Sequence, residues 1–487
     1  MFLGVDIGTT SVKALVVEEE GRIVASFSRP LQVYAPDGLS REQNPLDWQE
    51  AVLSLLQQVS EQYRIVSIGL TGQMHSLVLL DKQDLPVRHS ILWCDQRTTK
   101  ACRELTEILG GEAEVIRRVG NPFFEGFTLP KIQWVKTKER ENYEKTRSIL
   151  LPKDYIGFVL TGEKGTDPSD ASGTGAFGFT TDQWDEELLA LCEIDSSLFP
   201  KVTASGSLRG FLRKDLSNRF GWENVRVVTG GADNAVAALG AGINEPGLGM
   251  VSVGTSGTVV VATQSPKPDP SGRVHYFNHA LPRIHYYMGV MLSATHSLDW
   301  FLNRFGKKGS WSELETAISN SEPGSRGLLF LPYLNGERTP YRNADAKGVL
   351  FGITSSHTEG DAYRSIIEGI SFGLRDSYEL IKTLTPIRRL RIVGGGAKNK
   401  TWVRIIASNL SMPLEIPKTD QGAAYGAAML AAVGAGHSEK EILRWVQVEE
   451  TVDPHLEWEK TYQESFLGYQ KLYSTLKEMF SLYPPQA

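Results

Sequence analysis

Two Gly-Thr turns between apolar runs give this chain its first chemistry. Asp6 and Gly8-Thr9-Thr10 lie in GVDIGTTSVKALVV, and Gly254-Thr255-Ser256-Gly257-Thr258 lies in GMVSVGTSGTVVVAT. A tight turn between strands presents backbone N–H groups, and glycine lets a phosphate approach with no Cβ in the way. Threonine hydroxyls can donate to phosphate oxygens, and an aspartate at a strand end can hold Mg²⁺ largely through water. One such turn alone is equally well an ordinary hairpin. Two of them facing one cleft can grip a polyphosphate from both sides.

Two further glycine clusters follow apolar runs. Gly230-Gly231-Ala232-Asp233-Asn234 comes after Val225–Val228 and before AVAALGAG. Asp233 there is either a helix N-cap or a general base for a substrate hydroxyl. Its place at a strand end beside a hinge favours the base. Gly394-Gly395-Gly396 with Asn399 follows Leu390–Val393 and precedes a helix expected from about Thr401. Such glycines let a base or sugar lie against the backbone, and a helix N-terminus favours anions. The run is not the dinucleotide fingerprint, and no GxxxxGK phosphate loop occurs.

The elements that must hold these residues are short. Phe2–Val5, Val12–Val17 and Ile23–Ser26 read as strands, with a helix opening at Asp47, three before Glu50 in capping-box spacing. Ile65–Leu70 and Leu77–Leu80 read as further strands. The second Gly-Thr turn repeats this beginning, so the chain reads as two related domains with Gly242–Gly249 as hinge. Ala423–Gly436 reads as a buried helix, and Glu457–Phe480 as an amphipathic one packed on the second lobe.

The 487 residues are 41% hydrophobic and 22% charged, an ordinary soluble composition. Lys plus Arg is 51 against Asp plus Glu at 57, so no basic excess advertises nucleic acid or a membrane surface. Cys94, Cys102 and Cys192 are too few for a disulfide framework and read as reduced thiols in a cytoplasmic protein. The first residues lack the basic and apolar regions of a signal peptide.

The ordered series Gly4–Thr10, TGQMH, LPKDY, SDASGT, GGADNA, SVGTSG, GERTP, GGGAKN and QGAAYGAAM resembles the FGGY family of carbohydrate kinases. FTLPKIQW (Phe127–Trp134) resembles that family's first signature, and the segment Lys347–Glu368 its second. The resemblance implies an α/β fold of two actin/Hsp70/hexokinase-like (ribonuclease H-like) domains with an interlobe cleft. Residues 1–245 would form the sugar and phosphate side, and residues 246–487 the nucleotide side.

The resemblance also implies ATP, Mg²⁺ and a small sugar as partners, and members of the family often form homodimers. Asp233 would be the base, and Met74, His75 and Asn234 would touch the sugar with it. Asp6 would hold the metal, with Thr9, Thr10, Gly254, Thr255 and Ser256 at the phosphates. Gly395, Gly396 and Asn399 would meet adenosine, and Trp300 would border the nucleotide or simply pack.

The implied acceptor is the C5 hydroxyl of D-xylulose, with gluconate, L-ribulose and glycerol as alternatives. Two departures from the family pattern bear on that choice. Cys94 replaces an asparagine in Trp93-Cys94-Asp95, and Ser76 replaces a glycine after His75. An anionic sugar would need a cation, for which Arg97 is the candidate. A reading from another class is a non-catalytic ATP-dependent chaperone or sugar sensor. The first would need a separate peptide-binding domain and the second a basic DNA-binding segment before the first strand; neither is expected here.

Overall fold

The repeated hairpin is the seed of two sheets of one design. The structure is a computed structural model and describes residues 1–306, 311–419 and 421–483. In the first sheet Phe2–Ile7, Ser11–Val17 and Ile23–Pro30 run antiparallel. Ser67–Gly72 and then Arg226–Val228 extend it in parallel. In the second, Leu248–Val253, Gly257–Thr263 and His285–Met291 run antiparallel, and Arg389–Val393 and Leu414–Pro417 extend it in parallel. The first sheet ends in Leu208–Phe211 beyond Arg226–Val228, and the second in His275–Asn278 and Val448–Val452 at its two edges.

The first strand is apolar from Phe2 to Val5 because helices cover both of its faces. Leu3, Val5 and Ile7 join a core with Trp48, Val52 and Leu56 of the helix Pro45–Ser60. Phe2 faces the other way, into a core shared with Val236, Leu239, Met250, Val260 and Met429. That second core is where the two halves of the chain meet.

Its centre is a pair of small-residue helices, Asp233–Gly240 and Gly422–Gly434. The second of these lies so close to the first sheet that a Cβ on Gly4 would come 1.9 Å from the Ala424 carbonyl oxygen. A Cβ on Gly69 would come equally near, 1.9 Å, to that of Ala427. Helix meets helix as tightly, since a Cβ on Gly426 would stand 2.0 Å from the Val236 oxygen. A helix from the second half of the chain therefore rests on the sheet of the first.

The helix expected to open at Asp47 opens earlier. Asn44 is its cap, accepting from the Leu46 N–H, and Pro45 fills the first helical position, where its fixed φ suits a helix and its missing N–H costs nothing. Asp47 lies in the first turn instead. The terminal helix is Glu459–Leu482, with Tyr462, Phe466, Tyr469 and Tyr473 in the second-lobe core. Among the described residues no helix is long and apolar enough to cross a membrane. Cys102 and Cys192 are buried free thiols, and Cys94 is a half-buried one.

Candidate active site

Each hairpin turn is pinned. The Gly8 N–H bonds the Ser11 oxygen at 3.1 Å, and the Gly254 N–H bonds the Ser256 oxygen at 3.0 Å. The carbonyls of Gly254 and Thr255 accept at 2.9 Å from the N–H groups of Thr295 and Ala294, so the start of the helix Thr295–Arg304 fixes the second turn. In the first turn the Gln43 amide donates to the Thr9 oxygen at 2.8 Å. Thr10, Thr255 and Ser256 are left exposed, and Thr9 is half-buried.

Two carboxylates stand at the carboxyl ends of the neighbouring parallel strands. Asp6 is in register with Thr71, and Thr71 with Gly231, two residues before Asp233. Burial pushes the Asp6 carboxyl up to about 6, against the pull of the Lys13 ammonium. Burial, and then the charge of Asp6, push Asp233 up to about 7. Oδ1 of Asp6 is buried with no hydrogen-bond partner. Oδ1 of Asp233 accepts from the Asn234 N–H at 2.7 Å and its side-chain amide at 3.1 Å. Asp233 starts the helix without capping it; the cap position is Ala232.

The expected sugar-side residues converge beside this pair. The Asn234 amide nitrogen lies 3.6 Å from Met74 Sδ. His75 takes a left-handed φ of 67°. Its carbonyl accepts from the Thr128 hydroxyl at 3.0 Å and Lys131 Nζ at 2.9 Å. Its ring stacks on Phe127 at 4.7 Å, and Nδ1 bonds the Gly173 oxygen at 2.5 Å. Burial drives the imidazole down to about 3, so it is neutral. With the Nδ1 proton given to Gly173, Nε2 is an acceptor for a hydroxyl.

A buried charge cluster is tied to Ala232, the residue before Asp233. Lys153 Nζ lies 2.6 Å from Asp154, 3.1 Å from Asp167 and 3.3 Å from Asp170, and Arg209 lies 2.8 Å from Asp154. Burial pulls the Lys153 ammonium down, but the three carboxylates outweigh it and hold it above its usual range. Asp167 accepts from the Ser169 hydroxyl at 2.5 Å, and Ser169 Oγ accepts from the Ala232 N–H at 3.0 Å. Lys153 and Asp154 lie in LPKDY, and Ser169 and Asp170 in SDASGT, which marked them in the sequence without disclosing that they meet; Asp167 and Arg209 lie outside both strings. Lys131, inside FTLPKIQW, was equally visible and equally mute.

On the second lobe a cavity of about 550 Å³ is lined by Thr295, Asp299, Gly395, Gly396, Asn399 and Trp402. The Asn399 side-chain oxygen is committed to the Trp402 N–H at 2.8 Å, capping the helix Lys400–Leu410, which leaves its amide nitrogen for a ligand. Trp300 does not line this cavity; it packs edge-on against Phe305 at 5.4 Å, and its neighbour Asp299 takes the lining position. One helical step turns the indole away from this cavity.

The remaining sequence candidates serve structure. Arg97 is tied to Asp95 at 2.7 Å and Glu42 at 2.8 Å. Ser76 is buried; its hydroxyl donates to Gln73 at 3.1 Å and accepts from the Trp93 N–H at 3.1 Å. Cys94 packs against the core of the first lobe.

The N-terminal domain model of the FGGY family of carbohydrate kinases matches residues 1–240, and the C-terminal domain model residues 249–435. Xylulose kinase of Staphylococcus xylosus is 37% identical over 479 residues, covering 97% of this chain and 99% of that protein. The structure of a ligand-bound xylulose kinase from Lactobacillus acidophilus superposes with a TM-score of 0.93 at 26% identity, covering 98% of this chain and 99% of that one. That of a gluconate kinase from the same species gives 0.92 at 26% identity, covering 97% of each chain. Backbone likeness alone does not separate these two acceptors. With both domain models matched in order and a relative alike along almost its whole length, the chain belongs to the FGGY family of carbohydrate kinases.

Proposed function

We propose that this chain transfers the γ-phosphoryl group of ATP to O5 of D-xylulose, giving D-xylulose 5-phosphate and ADP. The observation that carries the proposal is Asp233, a carboxylate raised to about 7 by burial and by the neighbouring Asp6, whose Oδ1 has no hydrogen-bond partner. Residues 1–245 would supply the sugar side and the first hairpin, and residues 246–487 the second hairpin and the nucleotide cavity. The 37% identity to a protein named xylulose kinase supports the ketose. Arg97, the cation an aldonate could have used, is committed to Asp95 and Glu42.

In this reading Asn234 occupies one oxygen of Asp233 and leaves the other for the sugar hydroxyl. Asp233 takes the proton from O5 as O5 attacks the γ-phosphorus, and the bridging oxygen leaves with ADP. His75 Nε2 accepts from a second hydroxyl and fixes the sugar's rotation. Thr9, Thr10, Thr255 and Ser256 donate to the phosphates, and Gly395, Gly396 and Asn399 border adenosine. Asp6 suits Mg²⁺, because a buried carboxylate oxygen without a hydrogen-bond partner is a hard ligand in waiting. Mg²⁺ bound there with ATP would neutralise charge on the phosphoryl oxygens. Closing of the lobes would exclude water. We place the reaction in the cytoplasm.

The test is a coupled ADP-release assay with MgATP and D-xylulose, L-ribulose, D-gluconate and glycerol in parallel, repeated with Asp233→Asn. Turnover chiefly with D-xylulose, lost in the variant, is the expected result. Preference for another sugar would overturn the acceptor assignment, and a fully active variant would overturn the base.

A further inference from the structure

The aromatic wall of the sugar side runs on past His75 and ends at a cation from the opposite lobe. Phe127, stacked on His75, meets Phe124 edge-on at 5.6 Å, and Phe124 meets His275 at 5.0 Å. The Arg338 guanidinium lies 5.3 Å from the centre of the Phe124 ring. Burial keeps the imidazoles of His75 and His275 neutral, and the charge of Arg338 adds to that effect at both.

The backbone around Arg338 is fixed. Its N–H donates to Glu337 Oε1 at 2.7 Å. The next residue, Thr339, bonds Val290 through N–H and hydroxyl at 3.0 Å each, and its hydroxyl donates to the Arg273 oxygen at 3.0 Å. Arg342, over the same ring, is committed to Glu112 at 2.8 Å. Among the described residues nothing accepts a hydrogen bond from the half-buried Arg338 guanidinium. The Arg338 donors thus stand free of partners over Phe124, at the end of the ring chain that runs through Phe127 to His75.

We infer that Arg338 recognises the carbonyl end of an open-chain ketose, donating to its C2 oxygen while the other end meets Asp233. The inference rests on the proposed reaction at O5. In D-xylulose O5 is the hydroxyl that closes a five-membered hemiketal on C2. A molecule that offers O5–H to Asp233 is therefore open, with a free C2 carbonyl. A carbonyl oxygen only accepts and a guanidinium only donates, so the two are matched. Glu125, whose charge acts on Arg338, offsets the positive charge and suits the site to a neutral acceptor over a carboxylate.

The experiment compares kcat/KM for D-xylulose, xylitol, D-arabitol and D-gluconate in the wild type, Arg338→Met and Arg338→Lys. Xylitol and D-arabitol keep C3 to C5 of D-xylulose and lack its carbonyl. The wild type should prefer the ketose to both alditols. Arg338→Met should lower kcat/KM for D-xylulose by about 10–100-fold, mainly through KM, with the alditol values and the KM for ATP nearly unchanged. Arg338→Lys keeps the charge over Phe124 and loses the fork, so it should show the same collapse of preference in smaller degree, and it carries the test if the Met variant does not fold. Full ketose preference in the variants overturns the inference alone. So does a wild-type activity on D-gluconate that Arg338→Met abolishes. A wild type inactive on D-xylulose overturns the proposed function and this inference with it.

Discussion

The indole N–H of Trp93 donates to the Thr9 hydroxyl at 2.9 Å, joining the loop that holds Trp93 to the turn of the first hairpin. The link closes a ring of polar contacts. Trp93 N–H reaches Ser76, Ser76 reaches Gln73, the Gln73 amide donates to Gln43 at 2.9 Å, and Gln43 holds the Thr9 carbonyl at 2.8 Å. Ser76 and Trp93 therefore brace the turn at Thr9. Trp93→Phe removes the indole donor from a ring 39% exposed, so stability should hardly change. The KM for ATP should rise about fivefold, the equivalent of roughly 1 kcal/mol for one hydrogen bond. Steady-state kinetics beside a thermal melt would check it; a lowered Tm with an unchanged KM would make Trp93 merely structural.

Asp233 should set the pH response. Its carboxyl is raised to about 7, first by burial and then by Asp6. Only the ionised form accepts a proton, and that form falls tenfold per unit below the pKa. At constant MgATP, kcat/KM for the sugar should climb about tenfold per pH unit below about 7 and level off above it. Asp233→Asn should lose roughly 10²–10⁴ in turnover and flatten this limb. A limb centred near the ordinary carboxylate value would show that the buried pair does not control the reaction.

What the sequence discloses follows the range of the interaction. The turns at Gly8 and Gly254 were legible because a glycine between two apolar runs is a local signal, and the repeat doubled it. Asp233 was legible as a residue at a strand end. The helix cap was misplaced because Asp47-to-Glu50 spacing mimics a capping box while Asn44-Pro45, a stronger start signal, precedes it. For Trp300 the sequence left bordering and packing open, because one helical step decides whether an indole or its neighbour Asp299 meets the cavity; it packs on Phe305. The Lys153 cluster and the approach of Arg338 to Phe124 join residues far apart in the chain, and no local pattern encodes such a meeting.

The seat of the helix Gly422–Gly434 on the first sheet should tolerate no methyl group. Gly4→Ala would put a Cβ 1.9 Å from the Ala424 oxygen, a backbone atom that no rotamer change can move. We expect a loss of about 3 kcal/mol or more, at or beyond the upper end of overpacking costs. Gly38→Ala is the control, since nothing lies within 4 Å of a Cβ there. Urea unfolding of the two variants should differ by that amount; equal midpoints would mean that the helix seats elsewhere in solution.

The Lys153 cluster gives the prediction with the sharpest sign. Lys153, Asp154 and Asp167 have fully buried side chains, and Asp170 is 1% exposed. Burial drives the Asp170 carboxyl well above its ordinary value, and Lys153 is the first influence opposing that rise. Lys153→Met keeps the volume and removes the opposition, leaving Arg209, which pairs with Asp154, as the cluster's remaining cation. Breaking such a buried pairing costs about 3–5 kcal/mol near neutral pH. Without Lys153 the Asp170 carboxyl, already raised by burial, is raised further above its unfolded value, so the folded state binds the extra proton. The deficit against wild type should then be largest above the raised value and should shrink as pH falls toward about 4, the ordinary carboxylate value. Because Asp167 holds Ser169 and Ser169 holds the Ala232 N–H, next to the base, kcat should fall more than KM rises. Urea unfolding of both proteins from pH 8 to 5 measures the first effect. A deficit that stays constant with pH would trace the loss to packing, and would remove the electrostatic role of Lys153.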